Sequence, residues 1–156
     1  MGSSSDRWNS GLLLVQQRCN GLWQQFGALY NQFAIETGNL CPAGWHVPTF
    51  DEWNELIDNV GGADIAGKEL KTTNGWYNEG NGSDRYGFSA LPGGYRLKGA
   101  TFQDNALAGM WWTATEYYIY MMSYQSDGAM GGPMSDEGSF DESMKTMGLS
   151  VRCVKN

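Results

Sequence analysis

The sequence is poor in the residues that carry out acid–base and metal chemistry. It has one histidine, His46, in 156 residues, and its three cysteines, Cys19, Cys41 and Cys153, are scattered with no CxxC pair. A structural zinc site needs about four Cys/His ligands, usually in close pairs, so none is expected. Lys and Arg number 10 against 17 Asp and Glu, for a net charge of −7 and a pI near 4.5. Such a surface repels phosphate backbones and anionic membrane surfaces, which argues against nucleic-acid partners and membrane association. No apolar run approaches the roughly 20 residues that span a bilayer, and Leu12-Leu13-Leu14-Val15 is too short even for a signal-peptide core. Met1-Gly2-Ser3-Ser4-Ser5 reads as an added remnant, which leaves room for a native leader that has been removed. Nucleophile-elbow, HExxH and P-loop motifs are all missing. His46 sits between Trp45 and Val47 and reads as a scaffold residue at a turn. The expectation is a binding domain, not an enzyme.

What is present points to strands and shaped loops. Seven Trp, eight Tyr and 22 Gly accompany a hydrophobic share of 41%, in a length that suits one domain. Residues 11–36 fit a helix through Leu22, Phe26, Leu29, Tyr30 and Phe33, or a strand through Phe33 and Ile35. Thr49 with Glu52 makes a capping box, and Trp53, Leu56, Ile57 and Val60 form one apolar stripe of a helix ended by Gly61-Gly62. A second short helix is predicted over 63–71, with Ile65 and Leu70 inward. Residues 72–109 read as loop with short strands, and Trp111–Thr115, Tyr117–Tyr124 and Leu149–Val154 read as strands. Helices first and strands later imply an α+β fold.

Five blocks carry a family resemblance. They are Leu29–Leu56, with Cys41-Pro42-Ala43-Gly44-Trp45-His46-Val47-Pro48 at its centre; Ala66–Lys71; Tyr86-Gly87-Phe88-Ser89-Ala90-Leu91-Pro92-Gly93-Gly94-Tyr95-Arg96; Gly109–Glu116; and Gly148-Leu149-Ser150-Val151-Arg152-Cys153-Val154. In this order they resemble the Fibrobacter succinogenes major paralogous domain family over roughly residues 27–156, with residues 1–26 as an extension packing on or leading into the domain. The resemblance implies a C-type-lectin-like fold, two helices packed on small antiparallel sheets with long loops. That fold is similar to formylglycine-generating domains and to the variable proteins of diversity-generating retroelements, which display varied side chains from a C-terminal segment. The resemblance also implies a Cys41–Cys153 disulfide, worth about 4–5 kcal/mol in the chain-entropy model; two buried thiols in a reducing compartment are the alternative. Cys19 would then be left buried or oligomer-forming.

The special chemistries of related folds lack their residues. Sugar-binding C-type lectins carry Glu-Pro-Asn or Gln-Pro-Asp, whereas Pro133 here lies between Gly132 and Met134. Formylglycine-generating chemistry uses a cysteine pair that has no counterpart. Asp136-Glu137 and Asp141-Glu142 read as a solvated acidic loop, not a glycosidase pair. No cofactor is expected. Asn78, Glu79, Asn81 and Asp84 offer hard oxygens that could hold calcium, and equally make an ordinary turn cluster.

The segment from Gly99 to Met144 contains no Lys or Arg. Seven of the eight methionines lie in the last third, with Tyr117, Tyr118, Tyr120 and Tyr124 among them. Tyr gives contact area at low entropy cost and Met adapts its shape, so the mixture reads as a binding surface. The ligand-binding set is Tyr117, Tyr118, Tyr120, Met121, Ser123, Gln125, Asp127, Met130, Met134, Asp136, Glu137, Phe140 and Asp141. Alternation in a strand, with Met122 and Tyr124 inward, sends Met121, Ser123 and Gln125 outward. The expected partner is a protein or glycan on another cell, and the expected location is extracellular, at a cell surface or on a phage virion. A structural or assembly domain with no ligand of its own is the alternative.

Overall fold

The computed structural model describes residues 14–15, 25–97, 101–135 and 140–156. Strand β1 (Leu14–Val15) pairs antiparallel with β2 (Leu29–Tyr30), so part of the expected extension is tied to the sheet system. The spacing from Leu22 to Phe33 does not make one helix. Gly27 turns the chain with φ +76°, β2 follows, and Asn31 starts a new helix, α1 (Gln32–Glu36), by accepting from the Ala34 N–H. Among the described residues α1 thus adds a helix to the two expected.

Strand β3 (Trp45–His46) leads to α2 (Phe50–Asn59). The capping box is present: the Thr49 hydroxyl accepts from the Glu52 N–H at 3.2 Å, and Glu52 Oε2 accepts from the Thr49 N–H at 2.8 Å. A cap of this kind contributes about 0.5–2 kcal/mol. Trp53, Ile57 and Val60 are buried and Leu56 packs against them. In α3 (Ala63–Leu70) the buried face is Ala66, Gly67 and Leu70. Ile65, predicted inward, is 44% exposed. It lies about 100° round the helix from Ala66 and covers Gly61 instead.

After a 3-10 turn at Tyr77–Glu79 come the paired strands β4 (Tyr95–Arg96) and β5 (Phe102–Gln103). Then β6 (Ala108–Trp112), β7 (Tyr118–Ser123) and β8 (Ala129–Pro133) form an antiparallel meander. The segment Ala129-Met130-Gly131-Gly132-Pro133 has weak strand propensity, but as the outer strand of the meander it tolerates a proline that cannot donate. The last strand, β9 (Val154–Lys155), returns to pair with β3. Gly148–Ser150 ties the pieces together: Leu149 exchanges backbone hydrogen bonds with Tyr30, Gly148 with Arg96, and Ser150 bonds to Met110 and Trp112.

Two apolar clusters occupy the two faces of the meander. Trp111, Tyr120, Met122 and Ala129 face α2 and α3, while Trp112, Ile119 and Met110 join Ile35, Val47 and Leu149 on the other side. Beside the second cluster Cys41 is disulfide-bonded to Cys153, 112 residues away, as the family resemblance implied. Cys19 lies outside the described residues. The fold is α+β, and no helix among the described residues is long and apolar enough to cross a membrane.

Candidate functional site

Strand parity sorts the expected binding residues. Register places Trp111, Tyr120 and Gly131 on one face of the meander, and Met110, Met121 and Met130 on the other. Tyr120, expected at the binding surface, is therefore core: it is 4% exposed, stacks on Trp53 at 5.0 Å and donates its hydroxyl proton to Asn54 Oδ1. Burial pushes its phenol up from the ordinary value, with Asp58 adding to the effect. Tyr118 also turns toward α2, its ring 4.8 Å from Phe50, and is half-buried. Both corrections follow from the period of two: Met122 can be inward only if Tyr120 and Tyr118 are too.

The opposite face keeps more of the expected set. Met121 is half-buried and Met130 is 66% exposed. Met134 is half-buried against the second cluster and donates its N–H to the Tyr117 carbonyl at 2.9 Å. Tyr117 stacks on Phe140 with centroids 4.6 Å apart, and Phe140 is 41% exposed. Asp141 is exposed and holds Ser143 through its N–H and hydroxyl. Asp136 and Glu137 lie outside the described residues.

At the turn between β7 and β8, Gln125 and Asp127 are exposed and Ser123 is half-buried. This turn is pinned from beneath. The buried Lys71 ammonium donates to the carbonyls of Ser123 and Ser126 at 3.0 and 2.9 Å, and sits 5.1 Å from the centre of the Trp76 ring. Burial lowers the Lys71 pKa, and Asp127 opposes that shift. The Lys68 N–H donates to the Asp127 carbonyl at 2.7 Å. The hairpin that carries Met121 and Met130 is thus mounted on α3.

A charged cluster flanks the Tyr117–Phe140 pair. The Lys145 ammonium reaches Glu36 at 2.8 Å, Glu116 at 2.5 Å and Glu142 at 3.9 Å, under the rings of Tyr117 and Phe33. Hydrogen bonds to Glu116 and then Glu36 raise its pKa far above the usual lysine range. Sequence reasoning did not connect Glu36, Glu116 and Phe33 with this face. The signal was available: Lys145 is the lone cation between Lys98 and Arg152, in an acidic segment.

Both ring nitrogens of His46 are hydrogen-bonded. Its Nε2 meets Glu52 Oε1 at 2.8 Å and its Nδ1 meets Asn156 Oδ1 at 2.6 Å. Both partners are acceptors, which favours the imidazolium; the Asn156 and Glu52 hydrogen bonds raise its pKa. In the 78–84 loop, Asn81 Oδ1 accepts from the Trp76 N–H, and the two Asp84 oxygens accept from the N–H and hydroxyl of Ser89. These oxygens shape the loop from within. Among the described residues no group of three or more His, Cys, Asp or Glu is placed to hold a metal ion.

No curated protein and no solved structure matches the chain. The family pattern of the Fibrobacter succinogenes major domain matches residues 5–155, taking in most of the segment before residue 27 as well as the five blocks. The chain belongs to the Fibrobacter succinogenes major domain family.

Proposed function

We propose that this domain is a ligand-binding display module on a C-type-lectin-like scaffold, located outside the cell or on a phage virion, and that it contacts a protein or glycan on another cell. The observation that carries this reading is the shared outer face of β7 and β8. Met121 and Met130 stand in register there, and the stacked Tyr117–Phe140 pair extends the same apolar surface. Methionine adapts to irregular partners and tyrosine adds rigid amphipathic area. The anchoring of the hairpin by Lys71 and Lys68 supports a preorganised surface. The Cys41–Cys153 bridge suits an oxidising compartment. Exposed Asp127, Asp141 and Glu142, in a stretch without bases, favour a partner that brings cations.

A screen of the purified domain against cell-surface proteins and glycans tests this reading. Replacing Tyr117, Gln125, Met130 and Phe140 by Ser should abolish the binding found. Unchanged binding or attachment would instead assign the domain a structural or assembly role. The sharper form, a diversified variable protein, requires a near-repeat of the last part of the gene beside a reverse transcriptase gene, with differences concentrated at adenines.

A further inference from the structure

The three central strands place one methionine each in a single cross-strand row. Met110 is the register partner of Met121, and Met121 is the register partner of Met130, all on the face turned away from α2 and α3. Side chains directly opposite on neighbouring strands have Cβ atoms about 5 Å apart. Met121 therefore stands midway between its two neighbours. With three rotatable bonds each, the outer two can lean inward and bring three thioether sulfurs around one point above Met121.

We propose that Met110, Met121 and Met130 form a thioether site for a soft monovalent cation of the copper(I) class. Thioether sulfur selects such ions over hard cations. The two flanking rows supply no charge: they are Ala108 with Ser123, and Trp112 with Ile119 and Gly132. A neutral, sulfur-only set of donors suits a monovalent soft ion and offers nothing to calcium or magnesium. The exposure of Met130, beside the half-buried Met110 and Met121, also fits a site open at one end. Met110 packs on the second cluster, Met121 is half-buried and Met130 is exposed. Packing does not require methionine at these positions. Strands favour β-branched residues, and β7 uses one at Ile119, two residues before Met121. The inference stands whether or not this face also binds a macromolecule.

Silver(I) titration of the full chain in chloride-free buffer tests the site, with Cys19→Ser removing the third cysteine as a competing ligand and the Cys41–Cys153 disulfide left intact. The methionine methyl groups are followed by carbon–proton NMR. One equivalent should saturate the site and shift the methyls of Met110, Met121 and Met130 together. Thioethers carry no proton to displace, so the affinity should be equal at pH 5 and pH 8. Met121→Leu and Met130→Leu keep the apolar volume and should each weaken binding about tenfold or more; Met144→Leu should leave it unchanged. Affinity unaltered in both row variants, shifts spread over methionines outside the row, or no saturable binding would each overturn the proposal. Met130 is exposed, so Met130→Leu reports on the sulfur even if Met121→Leu folds poorly.

Discussion

Tyr120 lies flat on Trp53, with ring centroids 5.0 Å apart and planes 17° from parallel, and this contact joins the meander to α2. Large-to-small substitution of a buried aromatic costs about 3–5 kcal/mol. Tyr120→Ser should therefore lower stability by about that amount, whereas Met130→Ser should change it by no more than about 0.5 kcal/mol. Urea denaturation of the two variants checks the parity assignment, since a one-residue slip of β7 would turn Tyr120 outward and remove most of the cost of Tyr120→Ser.

Lys145 holds three glutamates near one another. Removing it leaves their repulsion uncompensated. Because all three carboxylates are partly or largely exposed, the loss in Lys145→Met should fall between the exposed-pair and buried-pair values, at about 1–2 kcal/mol at neutral pH. The difference from wild type should shrink at pH 3, where the carboxylates are protonated. Chemical denaturation at the two pH values measures it.

The His46 contacts predict a pH dependence of stability. Its folded pKa is raised from 6.5, so its contribution is complete below about 6.5 and is lost as pH rises through the folded value. Glu52 is lowered from 4.5, chiefly by the Thr49 backbone N–H. Its contribution is complete above about 4.5 and is lost as pH falls through its folded value. Both are in force together between those limits. The melting temperature of wild type should exceed that of His46→Gln by more at pH 5.5 than at pH 8.5.

Gly67→Ala reverses the usual helix rule. In an open helix the change stabilises by about 1 kcal/mol. Here a β-carbon would sit 2.1 Å from the Gly128 carbonyl oxygen, so α3 and the start of β8 would have to separate. The variant should lose about 1–3 kcal/mol by thermal or urea unfolding, and the Lys68–Asp127 hydrogen bond should show faster amide exchange.

Local chemistry made some elements legible in the sequence. The Thr49–Glu52 box starts α2, and the 3.6-residue period of Trp53, Ile57 and Val60 names its buried side, because each signal is completed within one helical turn. The alternation of β7 was legible as well, but its consequence at Tyr118 and Tyr120 was not carried through. The Cys41–Cys153 pairing came through family resemblance, since three cysteines by themselves allow three pairings.

Other features needed the folded chain. Strand β8 contains Gly131-Gly132-Pro133, which propensity assigns to a turn; it is a strand because β7 offers it an edge. Ile65 faces out because Gly67 packs against the Gly128 carbonyl while Ala66 and Leu70 share the buried face of the helix. Lys145 gathers Glu36 and Glu116 from distant parts of the sequence, and the methionine row exists only through the registers β6–β7 and β7–β8. The sequence alone determined the family, the α+β class and the capped helix, through patterns a few residues long or blocks in order. Tertiary structure decided which tyrosines are displayed, which carboxylates meet the lone lysine and which sulfurs align, because pairing between strands and distant segments sets those neighbours.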